Sequence, residues 1–172
     1  GFVVASETCA FDVIGATYIR DVKPGEVIRI DLEGMTSESY AVKCEQSMCS
    51  MEYVYFARPD SDIEGINVHQ ARKNCGRILA KEAPIEADIV VGVPDSGLSA
   101  AIGYAEESMI PFEIGMVKNK YIGRTFIQPS QSLREQGVKM KLSAVHSIVK
   151  DKRVVLIDDS IVRGTTSRRM VD

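Results

Sequence analysis

The chain has 172 residues, 45% of them hydrophobic and 26% charged, enough for the core of one domain, or of one domain and a fragment of another. A net charge of −3 excludes general attraction to nucleic acid or an anionic membrane, so any anion must be bound locally. Four cysteines without a CxxC pair, no bilayer-length apolar run and no signal peptide exclude a disulfide scaffold and a spanning helix, and make a reducing cytoplasm the default.

Residues 1–45 read as β-rich. Phe2 to Ala5 (FVVA) is strand-like, and Lys23-Pro24-Gly25-Glu26 is a turn signal. Residues 27–33 alternate, with Ile28, Ile30 and Leu32 on one face and Arg29, Asp31 and Glu33 on the other, as in a half-buried strand ended by Gly34. Residues 37–43 pair back as a hairpin in this reading. A domain boundary falls near residues 44–50.

From Met51 the texture changes. Residues 52–57 (EYVYFA) read as a strand whose Tyr53/Tyr55 and Val54/Phe56 faces are core, broken at Arg58-Pro59. Residues 66–81 have helical periodicity, with Val68, Ala71, Cys75, Ile78 and Leu79 on one stripe. Residues 87–93 form a buried strand that stops at Pro94. A second helix spans 96–107, with Ser96 as N-cap and Leu98, Ala101, Ile102 and Ala105 on its inner face. Strands follow at 112–117 and 153–157, separated by a basic, weakly periodic stretch over 118–143. Strands alternating with helices define an α/β fold with an open parallel sheet. The chain opens without an initiator Met and stops about two turns into the helix that Thr165 starts, so it reads as an internal piece of a longer protein.

Three stretches carry chemistry. In 154–166, VVLIDDSIVRGTT, a buried strand delivers Asp158 and Asp159 at its carboxyl end, followed by Ser160, Gly164, Thr165 and Thr166 ahead of a helix. Ligands of open α/β sheets bind at that end. A loop entering a helix presents unpaired N–H groups that suit phosphate, while the two acids suit sugar hydroxyls and a divalent cation. One loop reading both a phosphate and a diol implies a sugar phosphate. The second stretch, Gly92-Val93-Pro94-Asp95-Ser96-Gly97, is another strand-to-helix turn whose amides could hold an anion and whose Ser96 hydroxyl could reach a cation; its bland alternative is a plain turn. The third, 118–141, carries Lys118, Lys120, Arg124, Arg134, Lys139 and Lys141 against the single acid Glu135. It reads either as a solvated basic loop or as a flap that closes over a polyanion.

These motifs resemble the phosphoribosyl-diphosphate (PRPP) site of the phosphoribosyltransferases, DDSIVRGTT matching the signature loop. The KN-Y-GRTFI-P-Q--R wording is similar to the flexible loop of the amidophosphoribosyltransferases, in their iron–sulfur bacterial branch. ASET-AFD and RDVKPGE resemble the last strands of that family's N-terminal-nucleophile glutaminase domain. The resemblance implies a glutaminase tail over 1–45 and an incomplete phosphoribosyltransferase domain over 46–172. It implies that Asp158 and Asp159 contact the ribose and, with Ser96, magnesium. Ser160, Arg163, Gly164, Thr165 and Thr166 would cradle the 5′-phosphate. Arg124 and Lys141 would act on the diphosphate as catalytic flap residues. Cys49 would be one ligand of a [4Fe-4S] cluster in the full-length protein, since Cys9, Cys44 and Cys75 lack cluster spacing. The implied reaction moves glutamine-derived ammonia to C1 of PRPP, in a cytoplasmic homo-oligomer that uses neither nucleic acid nor membrane. The family's nucleophilic cysteine is not in this chain, so the piece alone is expected to be inactive. A PRPP-sensing regulator would carry a basic helical DNA-binding domain instead of a β-rich acidic lead-in. A base-salvage phosphoribosyltransferase would lack both the GRTFI stretch and that lead-in.

Overall fold

The computed structural model describes residues 1–40, 45–121, 142–161 and 164–171. The chain divides into two compact units, Gly1–His69 and Gln70–Asp172.

In the first unit, α1 (Cys9–Ile14) is a short helix closed by Gly15 in the left-handed region. Strands β1 (Glu26–Asp31) and β2 (Gly34–Ser39) form an antiparallel hairpin in which Asp31 pairs with Gly34. Leu32 and Glu33, expected at the end of a strand, are the two-residue turn, and Leu32 is fully exposed. Gly34, the first residue after the turn, has φ +133°, a conformation that glycine adopts at little cost. Glu26 locks the hairpin base: its carboxylate accepts both Nη groups of Arg20 (2.9 and 2.6 Å), the Lys23 N–H (2.7 Å) and the Ser37 hydroxyl. Residues 2–5 form no strand, and Val4 is 70% exposed.

The expected strand at 52–57 is instead a π-helical turn, Glu52–Phe56. An isolated strand would need a ladder partner for every backbone group. Winding satisfies them locally, with the Ala57 N–H donating to the Glu52 carbonyl. Tyr53 donates its hydroxyl to the Ile63 carbonyl (2.7 Å), whereas Tyr55 and Phe56, expected in a core, are exposed. The short strands β3 (Asp62–Ile63) and β4 (Ile66–Asn67) pair antiparallel beside it. The segment is stitched to the N-terminus. Glu7 accepts the Arg58 N–H and the hydroxyl of fully buried Ser61, both at 2.8 Å, and Thr8 Oγ1 accepts the Asp62 N–H at 2.7 Å.

Helix α2 (Val68–Glu82) leads into the second unit. There β5 (Ile89–Gly92), α3 (Leu98–Ser108), β6 (Met116–Lys118), β7 (Leu142–Ala144), α4 (His146–Val149), β8 (Val154–Ile157) and α5 (Thr165–Val171) follow. Strands β5 and β8 run parallel in register, Ile89 against Val154 and Gly92 against Ile157. The expected third strand splits: Phe112 makes one parallel bridge to Val90, and Met116–Lys118 pairs antiparallel with Leu142–Ala144. Both sheet faces are covered, as the unbroken apolar runs require. Val90, Val155 and Ile157 pack with Ala80, Ala101, Tyr104 and Ala105; Ile89 and Val91 pack with Met116 on the other side.

Of the apolar stripe expected on α2, Val68 is buried and Ala71 half-buried, but the stripe does not continue along the helix. Arg72, Gly76 and Ala80 are buried, while Cys75, Ile78 and Leu79 are exposed. Close backbone approach decides the face. A Cβ on Gly76 would lie 1.9 Å from the Ala100 carbonyl oxygen, and one on Gly103 would lie 1.9 Å from that of Lys73. Only glycine permits that contact, and it turns the larger apolar side chains outward. Lys73 (2.5 Å) and Arg77 (2.7 Å) then pair with Glu106 of α3. Among the described residues no helix is long and apolar enough to cross a membrane.

Candidate functional site

Parallel pairing of β5 and β8 brings their two following loops side by side. The ladder continues to the tips, where the Val93 N–H donates to the Ile157 carbonyl at 2.8 Å. Gly97 seats the turn against the neighbouring strand: a Cβ there would lie 2.5 Å from the Ile157 oxygen and 3.0 Å from the Val93 oxygen. The turn closes through the Gly97 N–H on the Val93 carbonyl, 2.9 Å. The 92–97 turn and the Asp158 loop therefore share one rim. Ser96 is half-buried in it. It is not the N-cap of α3: Gly97 holds that position and no side chain caps the helix, so the Ser96 hydroxyl is not spent there. The turn contains a cis peptide between Pro94 and Asp95.

Asp158 and Asp159 are half-buried at the tip of β8, not enclosed in the apolar core. The Asp159 N–H donates to Asp158 Oδ1 (2.9 Å), and the Ser160 hydroxyl donates to Asp159. Desolvation pushes the Asp158 carboxyl above its ordinary range; the Asp159 N–H opposes the shift, and the neighbouring Asp159 charge adds to it. A carboxylate held with reduced solvation beside a second acid gains from a cation or from donor hydroxyls. Ser160 is exposed. Gly164 is left-handed at φ +69°, and its carbonyl accepts the Arg168 N–H (2.9 Å) as α5 begins at Thr165 and Thr166.

Arg124, Lys141 and Arg163 lie outside the described residues. From the start of the basic stretch, Lys118 reaches back to the 92–97 turn, its Nζ 2.6 Å from Asp95 Oδ2. Reading the sequence named both stretches but not this pairing. The excess of lysine and arginine over acid after Met116 was the only signal, and it carries no register.

The donor set suits a hard divalent cation: two adjacent carboxylates and a hydroxyl across the rim match magnesium, which takes one or two carboxylates and completes its shell with water and substrate phosphates. It does not suit an iron–sulfur cluster. Cys49 and Cys75 are exposed thiols and Cys9 is a buried one, and Cys44 lies outside the described residues. Among the described residues no group of three or more His, Cys, Asp or Glu could hold a metal. A cavity of about 870 Å³ lies in the first unit, lined by residues including Phe2, Phe11, Ile28, Met35 and Phe56, and contains none of the site residues.

A parallel strand pair with two apposed loop tips, paired acids on one and a glycine-pinched turn on the other, fits the family model for the phosphoribosyl transferase domain, which matches residues 66–172. The chain belongs to that family. It is 68% identical over 170 residues to an amidophosphoribosyltransferase of Bacillus subtilis (strain 168) and 57% identical to one of Staphylococcus aureus (strain MRSA252). Each match covers 99% of this chain but only 36% and 34% of those relatives, so the chain spans about a third of their length. The fold superposes at a TM-score of 0.87 and 67% identity on a solved structure of the allosteric regulatory enzyme of purine biosynthesis, covering 96% of this chain and 36% of that one. The same values hold for glutamine PRPP amidotransferase from B. subtilis complexed with ADP and GMP.

Proposed function

We propose that the intact protein is an amidophosphoribosyltransferase. It transfers glutamine-derived ammonia to C1 of PRPP, giving 5-phosphoribosylamine, diphosphate and glutamate in purine synthesis. The observation that carries this reading is the shared rim: the Ser96 turn and the Asp158–Asp159 tip, held together by the Val93–Ile157 bond, in a chain 68% identical to a relative of that name.

In this reading Asp158 and Asp159 accept from the ribose hydroxyls and, with Ser96, hold magnesium. Ser160, Arg163, Gly164, Thr165 and Thr166 cradle the 5′-phosphate. The 92–97 turn faces the diphosphate, and Arg124 and Lys141 are the catalytic residues assigned to it. The bond from C1 to the diphosphate oxygen breaks with its electron pair leaving on the diphosphate. Ammonia then attacks C1 and gives up a proton. Magnesium bound at this rim would neutralise charge on the departing diphosphate. Residues 1–45 form the end of a glutaminase domain and 46–172 part of the transferase domain, within a cytoplasmic homo-oligomer. In the full-length protein Cys49, an exposed free thiol here, would serve as one thiolate ligand of a [4Fe-4S] cluster that the described residues do not by themselves suit.

The test is diphosphate release from PRPP by the intact protein. Release that requires ammonia or glutamine supports the reading. Release that instead consumes a purine base, or binding of PRPP without turnover, overturns it.

A further inference from the structure

An anion-binding turn is an unfavourable place for a carboxylate, yet Asp95 sits in the 92–97 turn beside Ser96 with its side chain 72% exposed. Its charge would oppose a polyanion approaching the same amides. Lys118, the last residue of β6, places Nζ 2.6 Å from Asp95 Oδ2, and its own side chain is 35% exposed. The two residues are 23 positions apart, so the contact joins separate elements at the rim. A pair this exposed contributes little to folding, which leaves its effect on the local potential as its main physical consequence.

We propose that Lys118 is a positioning and charge-balancing residue of the diphosphate subsite. Its ammonium cancels Asp95, holds that carboxylate to the side of the turn and leaves the backbone amides and Ser96 open to an anion. This rests on the reading of the 92–97 turn as the diphosphate subsite. It explains why a turn that faces a polyanion tolerates an aspartate, and it makes an ordered prediction for the two residues. Removing the cation alone exposes the acid and harms binding. Removing the acid as well restores it.

The experiment measures binding of PRPP and of inorganic diphosphate, each with magnesium, to the intact protein, together with steady-state kinetics. Lys118→Met is expected to weaken both ligands about tenfold, to raise the KM for PRPP with little change in kcat, and to steepen less with salt than the native protein. Lys118→Arg keeps native affinity. Asp95→Asn in the Lys118→Met background returns affinity to within about threefold of native. A brace needed only for the shape of the turn gives a different pattern: Asp95→Asn alone fails like Lys118→Met, and the double variant is no better. That pattern, or native affinity in Lys118→Met, overturns the proposal while leaving the PRPP site intact. A native protein that binds neither PRPP nor diphosphate overturns the underlying reading, and this proposal with it.

Discussion

Substituting Gly97 by alanine tests whether the two loop tips form one rim. Gly97 has φ −75°, which alanine adopts without strain, so the effect is purely steric. The new Cβ would sit 2.5 Å from the Ile157 oxygen, against ordinary contact beginning near 3.4 Å, so the turn and the strand tip must part by about 0.9 Å. The three obstructing atoms, the Ile157 oxygen and the Val93 oxygen and nitrogen, are backbone and cannot rotate away. Overpacking of this kind costs about 1–3 kcal/mol. Stretching the 2.8 Å Val93–Ile157 bond adds about 1 kcal/mol. The displacement falls between Ser96 and Asp158, and a misplacement near 1 Å lowers turnover on the order of a hundredfold. Urea unfolding of the intact protein gives the first quantity as a fall in midpoint at constant slope, and PRPP turnover gives the second. An unchanged midpoint with native turnover would refute the apposition of the two loops.

The corrected face of α2 predicts that Gly103→Ala, whose Cβ would meet the Lys73 oxygen at 1.9 Å, destabilises by about 2–3 kcal/mol, while Leu79→Ala on the exposed face changes stability by less than about 1 kcal/mol; denaturant midpoints compare them. Glu7→Ala strips the acceptor from the buried Ser61 hydroxyl and is expected to cost about 1–3 kcal/mol, read from the same unfolding curves, with Glu7→Gln recovering part of it. Arg20, the Ser37 hydroxyl and the Lys23 N–H hold Glu26 at about 2 against an ordinary 4.5, so its contribution to the β1–β2 hairpin is present above pH 4.5 and lost as pH falls towards 2. Amide-exchange protection factors of the hairpin, corrected for the intrinsic rate at each pH, should fall across that window, and Glu26→Gln should remove the transition.

The second unit was legible because its signals are local and mutually consistent. Apolar runs at 87–93 and 153–157 read as buried strands, and helices between parallel strands fix which ends share a rim. That logic sets the loops that follow the two strands on the same side of the sheet. What failed depended on partners the sequence does not name. The EYVYF segment has strand propensity, but a strand needs a neighbour to pair with, and the segment winds instead. The stripe of Cys75, Ile78 and Leu79 has helical period, yet Gly76 and Gly103 set the packing face by what they lack. Periodicity counts hydrophobic groups and is blind to a contact made by missing side chains. The Lys118–Asp95 pair was illegible for a related reason, since a basic stretch gives charge without direction.

The most direct test of the account is calorimetric titration of the intact protein with magnesium and PRPP, comparing native protein with the Asp158→Asn/Asp159→Asn variant at matched stability. The account predicts measurable native binding that falls on the order of a hundredfold or more in the variant, because two carboxylates that serve both diol and cation are gone. Equal affinity in the two proteins would contradict it.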